Sequence, residues 1–436
     1  MTPTTRYIST RNPGAPAALS EALSRGLAPD GGLYVPERLP ALNPSAFAGL
    51  TRLPDIARRS LEGFFYADRL QNELGAIADA ALDIPAPTTG VGRCADPLSV
   101  LELYHGPTAA FKDFGARFLA ESLQRLETGD TTPLTILVAT SGDTGGAVAA
   151  AFHRRPWVRV VILYPRGLVS PRQEQQLTCW GENVISLRVD GSFDDCQRMV
   201  KEAFVDPDLR RRHRFSSANS INVGRLLPQM VYYIASSLAL WRRTGQKASY
   251  IIPAGNLGNA FAAVWARELG MPIDRIVLAH NSNRTVPDYL QSGEWRPRAS
   301  VATLASAMDV GNPSNMERLR SMYPTVDSLR SHLSADSVDD AAISARIRAD
   351  YQEYGRIWCP HTATAAEVHR RLPAAARRAR PWVLVATAHP AKFNEIVEPL
   401  IGRSIDVPEG LERLLHLPQH CVDVAPTLPS LAAVLA

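Results

Sequence analysis

The sequence lacks any run of about 18 apolar residues, the length a helix needs to cross a bilayer. Residues 1–12 are polar and charged with no hydrophobic stretch, so no secretory signal is expected and the cytoplasm is the expected compartment. Cysteine is sparse. The five present, Cys94, Cys179, Cys196, Cys359 and Cys421, are scattered, odd in number and form no CxxC pair. That argues against a disulfide framework and against a zinc site, and no metal is expected. An excess of one charge is missing as well: 47 basic and 43 acidic side chains leave +4 over 436 residues. The densest basic clusters, 210–214 and 370–380, are short and have no neighbouring aromatics. They read as solvated surface, so neither a nucleic-acid nor a membrane partner is expected. Hydrophobic residues at 45% and charged ones at 21% are ordinary globular usage, enough to bury a sizeable core.

At about 150 residues per domain, the length suggests two or three units. Residues 4–32 are polar and punctuated by Gly and Pro, 33–36 read as a short extended segment, and 53–65 and 68–81 show helical periodicity. The Pro- and Gly-rich stretch 84–97 marks a boundary, giving an N-terminal domain at 1–85. Beyond it, apolar runs at 135–139, 158–164 and 184–189 alternate with helical segments at 145–152 and 171–180. Later runs fall at 249–253, 275–279 and 382–387. Strands that are almost continuously apolar and separated by helix-length segments predict an α/β body with a parallel sheet covered on both faces. Its ligands belong at the C-terminal ends of strands. This body spans 86–436, with a smaller lobe at about 130–215, and the Pro- and Leu-rich tail after Leu400 is expected to pack as an appendage.

Three loops carry chemistry. After the run 249–253 comes Ala254-Gly255-Asn256-Leu257-Gly258-Asn259 and an apolar helix. A Gly- and Asn-rich turn at a helix start presents backbone N–H groups and the positive end of the dipole, which suits a phosphate. It is neither a Walker loop nor GxGxxG. The second loop, Thr140-Ser141-Gly142-Asp143-Thr144-Gly145-Gly146, crowds hydroxyls and amides at another helix start. It suits a carboxylate or second phosphate, or equally a plain N-cap in which Ser141 or Asp143 satisfies the first-turn amides. In the third, Lys112 lies among Ala110, Phe111 and Phe114. Apolar neighbours strip hydration from a lysine and favour the neutral amine that Schiff-base chemistry needs. An amine and a phosphate cradle together point to pyridoxal phosphate.

These residues resemble the threonine synthase family of fold-type-II pyridoxal-phosphate enzymes, whose body is tryptophan synthase β-like and two-lobed behind an N-terminal threonine-synthase domain. The resemblance runs over nearly the whole chain. Tyr7-Ile8-Ser9-Thr10-Arg11 and the segment 22–36 are similar to that family's N-terminal signature, and His105-Gly106-Pro107-Thr108-Ala109-Ala110-Phe111-Lys112-Asp113 to its lysine motif. The loops at 140–145, 170–173, 219–222, 255–259, 311–315, 360–363 and 387–393 follow in the family's order.

The resemblance implies that Lys112 holds the cofactor as a Schiff base and acts as the catalytic base. Gly255, Asn256, Leu257, Gly258 and Asn259 would cradle the cofactor phosphate through backbone amides and the Asn side chains, and Thr387 would bond the pyridine nitrogen. Thr140, Ser141, Asp143 and Thr144 would hold the substrate, with Asp143 where many fold-type-II relatives place Asn. Asn219, Ser220 and Arg225 would grip a substrate phosphate, Arg for its planar fork. The plainer alternative for Arg225 is a helix-surface cation beside Gln229. His105, His361 and His389 are expected to pack or hydrogen-bond. Two departures stand out: Leu257 replaces an expected Phe, and Cys359 an expected Asp.

The implied substrate is O-phospho-L-homoserine, converted by γ-elimination of phosphate and β-addition of water to L-threonine. A phospho-lyase releasing 2-oxobutyrate, or a non-catalytic protein of the same fold, is the alternative. Monomer and homodimer both remain open.

Overall fold

The computed structural model describes residues 5–92, 96–127 and 132–436; Cys94 and the first residues of the expected smaller lobe lie outside them. Runs of Val, Ile and Leu form most of the strands. These are β1 (Tyr7–Ser9), β2 (Tyr34–Pro36), β3 (Thr88–Gly90), β4 (Leu98–Glu102), β5 (Leu134–Ala139), β6 (Val158–Pro165), β7 (Val184–Val189), β8 (Arg214–Ser217), β9 (Ala248–Pro253), β10 (Ile273–His280), β11 (Ser334–Ser337), β12 (Trp382–Ala386) and β13 (Val422–Val424). They build a larger sheet in the order β11-β10-β9-β12-β4-β3, a smaller one in the order β13-β7-β6-β5-β8, and a β1-β2 ribbon.

The smaller sheet is parallel throughout, and in the larger one only β3 runs antiparallel to its neighbour. Strands β5, β9 and β12 are buried at every residue, which is why their sequences are apolar without alternation. Because β9 and β12 are paired, the loops leaving their C-terminal ends are neighbours, and the loop after β5 meets them across the gap between the sheets. No helix among the described residues is long and apolar enough to cross a membrane.

The helix Leu53–Phe65 matches its periodicity, whereas 68–81 is broken into a 3₁₀ turn, Gln71–Glu73, and a helix, Leu74–Ala81. Ahead of the 3₁₀ turn, the Asp68 carboxylate accepts from the amides of Leu70 and Ser20, both at 2.9 Å, and so closes a local turn and ties it to the start of the helix Leu19–Arg25. Phe64 and Phe65 then dock on Trp265 and Phe118, so the N-terminal segment braces the two helices that begin at the candidate site.

The tail after Leu400 is not an appendage. Residues Val422–Val424 pair with β7, and the helix Leu428–Leu435 buries Leu431 and Leu435 in the core of the smaller lobe. An open sheet edge and an apolar helix stripe each need a partner: the strand Val422–Val424 closes the β7 edge, and the helix lays its stripe on the core beside Cys196 and Met199.

Candidate active site

From β9 the chain turns through residues 254–257 into the helix Gly258–Glu268. A Cβ on Gly255 would sit 2.8 Å from Met308 Cα, and one on Gly258 would sit 2.9 Å from Ser220 Cβ. Both glycines are thus required by close approach. Leu257, buried and left-handed at φ 64°, caps the helix in a conformation costing a non-glycine residue about 1–2 kcal/mol. The first-turn amides that follow have no acceptors inside the helix, an arrangement that suits an anion.

The two asparagines differ. Asn256 is engaged by the protein at both ends: Nδ2 donates to Ser220 Oγ at 3.0 Å and Oδ1 accepts from the Ser314 amide at 2.5 Å. Its side chain is a brace, so at this position only the backbone is free for a phosphate. Asn259 Oδ1 accepts from the Tyr232 and Tyr233 hydroxyls at 2.6 and 2.9 Å, which leaves Nδ2 buried and unpartnered.

Lys112 opens the helix Lys112–Leu126, and its Nζ donates to Thr144 Oγ1 at 2.7 Å. Burial brings its ammonium down to about 8 against the pull of Asp143, with Arg225 and Lys392 adding repulsion. Next to it Asp113, whose carboxyl is raised by burial, accepts from the amide and hydroxyl of Thr108 and closes the preceding loop.

On the smaller lobe the loop after β5 is largely self-satisfied. Thr140 Oγ1 accepts from the amides of Gly142 and Gly145 at 3.0 and 2.9 Å and lies away from the cavity. Neither Ser141 nor Asp143 caps the helix Asp143–Phe152; Gly142, at φ 128°, occupies the cap. Asp143 Oδ1 instead pairs with Lys392 Nζ at 2.8 Å and accepts from Gln173 Nε2 at 2.9 Å. Burial opposes its ionisation, yet Lys392, His361 and Gln173 hold its carboxyl down to about 2.

Arg225 is not a surface cation. It is 2% exposed on the 3₁₀ turn Val223–Arg225, with its guanidinium donating to the carbonyls of Ala218 and Lys112 and brought down to about 10 by burial. Asn219 spends its Nδ2 on the Ala139 carbonyl at 2.9 Å. The 311–315 motif acts as scaffold: Asn315 Nδ2 donates to Ser220 Oγ and the Asn256 carbonyl at 3.1 and 2.9 Å. Buried Arg318 ties the Ser220 carbonyl to that of Tyr34.

One cavity brings together Lys112, Asp143, Thr144, Ser220, Arg225, the five residues 255–259 and Thr387. Thr140 and Asn219 do not line it, and Ser141 faces a separate cleft beside Ser170 and Ser306. His361 lines the cavity and hydrogen-bonds, within the packing or hydrogen-bonding role expected of it. Its Nε2 accepts from the Ala307 amide at 3.1 Å, its Nδ1 has no partner, and burial takes it down to about 4. The departure at Cys359 has a local reason: its Sγ accepts from the Thr362 amide at 3.4 Å, capping the helix that carries His361 as an aspartate would, without the charge. His105 bonds Glu102, and His389 accepts from the Ala391 amide. The four described cysteines are free thiols.

Three cavity residues thus carry buried polar atoms without a protein partner: Arg225 Nε, Asn259 Nδ2 and His361 Nδ1. Each such group costs about 1–3 kcal/mol unless something pairs with it. Together with a desolvated amine and a helix start rich in amides, they fit an anionic carbonyl cofactor.

A family model described as pyridoxal-phosphate dependent enzyme matches residues 92–388. Models of the threonine synthase N terminus and C-terminal region match 6–82 and 362–434. The threonine synthases of Serratia marcescens and Escherichia coli are each 39% identical to the chain over 403 residues, covering 92% of both partners. The chain belongs to the threonine synthase family. Its cofactor is pyridoxal phosphate and its fold is fold type II. The crystal structure of the Escherichia coli threonine synthase superposes with a TM-score of 0.89 at 35% identity, over 99% of each chain. That of the pyridoxal-phosphate-bound Brucella melitensis threonine synthase gives 0.90 at 31% identity, over 99% of this chain and 98% of that one.

Proposed function

We propose that this chain is an enzyme of the cytoplasm that converts O-phospho-L-homoserine and water into L-threonine and inorganic phosphate, with no nucleic-acid or membrane partner. One observation carries the reading: a single cavity is lined by a desolvated lysine, by the helix start at 255–259 and by the buried Arg225 with Ser220, and the last two would serve as separate anion sites. Two anions are what a phosphorylated cofactor and a phosphorylated substrate need. The unit 1–85 and the body 86–436, with its smaller lobe at about 130–215, belong to the same proposal.

The amides of 255–259, with Asn259 Nδ2, would hold the cofactor phosphate, and Thr387 would meet the ring nitrogen as a neutral partner. When bound, pyridoxal phosphate supplies a carbonyl for amine exchange and a ring that accepts electron density from the substrate's Cα and Cβ. Lys112 Nζ, near 8 and steadied by the Thr144 hydroxyl, takes and returns protons at Cα, Cβ and Cγ close to neutral pH. Arg225 and Ser220 bind the phosphate that leaves Cγ, and Asp143 and Thr144 orient the amino-acid end.

Incubation with O-phospho-L-homoserine should release threonine and phosphate in equal amounts; 2-oxobutyrate as the main product would overturn the reading in favour of a lyase. Lys112→Ala should remove the visible absorbance of the purified protein and lower turnover by at least about 10³-fold, through loss of proton transfer.

A further inference from the structure

Only four of the chain's 47 lysine and arginine residues are lysines: Lys112, Lys201, Lys247 and Lys392. Lys201 and Lys247 are exposed, as the strong hydration of an ammonium favours. Lys392 is fully buried, on the 3₁₀ turn Pro390–Phe393 that follows Thr387. Its Nζ lies 2.8 Å from Asp143 Oδ1 and donates to the Thr108 carbonyl at 2.8 Å.

The smaller lobe grips this turn. Ser170 Oγ donates to the Lys392 carbonyl at 2.9 Å, and Arg172 to that of Ala391 at 2.5 Å. From the helix Pro171–Thr178, Gln173 reaches Asp143 Oδ1 at 2.9 Å and Gln176 reaches the Thr108 carbonyl at 3.0 Å. The Asp143–Lys392 pair is therefore the charged centre of the seam between the lobes, and a buried carboxylate there without its cation would be strongly destabilising. Arginine is the common cation elsewhere in this chain, but its five donors need more acceptors than the single carboxylate oxygen and single carbonyl that meet Lys392.

We propose that Lys392 is a positioning residue: its buried ammonium holds the Asp143 carboxylate beside Lys112 and offsets its charge there, so that the pair governs when the Lys112 amine is free to react. The inference rests on Lys112 being the amine that takes the cofactor. Four charged or titratable groups surround that amine, each from a different element. They are Asp143 at the start of Asp143–Phe152, Arg225 on Val223–Arg225, His361 on Pro360–Arg371 and Lys392 on Pro390–Phe393. Only Asp143 favours the protonated amine; burial, Arg225 and Lys392 oppose it. Removing Lys392's charge should make Lys112 hold its proton to higher pH, and removing Asp143's should make it release the proton at lower pH. Neutralising both should nearly cancel.

The test uses the full chain stripped of cofactor with hydroxylamine and mixed with pyridoxal 5′-phosphate, the growth of the visible band being followed from pH 6 to 10. The rising limb reports deprotonation of Lys112, and Lys112→Ala gives the blank. Relative to the wild type, Lys392→Met should move the midpoint up by about one pH unit and Asp143→Asn down by a similar amount, the effect of a charge at this range. The double variant should return to within a few tenths of a unit. Unmoved midpoints, or midpoints moving the same way, would overturn the proposal and leave Lys392 a packing residue, even if thermal stability falls. If Lys392→Met does not fold, Asp143→Asn and the double variant still decide, through the downward shift and its reversal. A wild type that forms no band would instead overturn the assignment of Lys112.

Discussion

At the start of the helix Gly258–Glu268 the loop faces the cavity with a side-chain donor to spare, whereas at the start of Asp143–Phe152 the Thr140 hydroxyl and the Asp143 carboxylate are engaged by the protein. Both loops follow a buried strand, both are rich in glycine and hydroxyl or amide side chains, and both open a helix. The difference lies in what comes from elsewhere in the chain. Around the first, Tyr232 and Tyr233 occupy only the carbonyl end of Asn259 and leave its amide end open. Around the second, Thr140, Gln173 and Lys392 fill the loop's hydrogen bonds and neutralise its one charge. A helix start becomes a ligand cradle when its surroundings withhold partners, and a scaffold when they provide them.

Substitutions can break or sharpen that contrast. Arg225→Ala removes the charged donor opposite the cradle and should cost about 2–3 kcal/mol of substrate binding, roughly 30- to 150-fold in kcat/KM. The visible band should persist, and its loss would place Arg225 with the cofactor instead. Gly255→Ala drives a Cβ against the Met308 backbone and should weaken cofactor affinity by about 1–3 kcal/mol, as overpacking does. Equilibrium titration with pyridoxal phosphate measures it, and an unchanged affinity would show that the cradle yields. Thr140→Val leaves the Gly142 and Gly145 amides without their acceptor and should lower stability by about 1–2 kcal/mol in thermal unfolding. Cofactor affinity should hardly change; a large drop would mean that Thr140 itself holds the cofactor.

How much could be read beforehand follows the same division. Lys112, the 255–259 turn and Thr387 each sit in a local pattern of strand, turn and helix that carries its own physical meaning, and all of them line the cavity. Asp143's surroundings were out of reach, because Gln173 lies 30 residues away and Lys392 farther still. Asn256 reads as a ligand donor and is in fact held by Ser220 and Ser314. Burial misleads in the other direction for Arg225, whose turn and neighbours resemble an ordinary helix surface until the folded chain encloses them. The short strands β8 and β13 carry too few residues for a period to show, so the smaller sheet's full width emerges only in three dimensions.

Strand β13 has one further consequence. It covers β7 with only three residues, and Asp423 at its centre is clamped by Arg188 at 2.6 Å and Arg166 at 3.0 Å. The smaller sheet therefore ends in a border that is short, charged and already paired, where a bare β7 would offer a ladder of open amides and carbonyls to any passing chain. Those three residues shield the β7 edge, and shortening the protein before them would bare that edge and also strip Leu431 and Leu435 from the lobe's core, an outcome expected to show as aggregation.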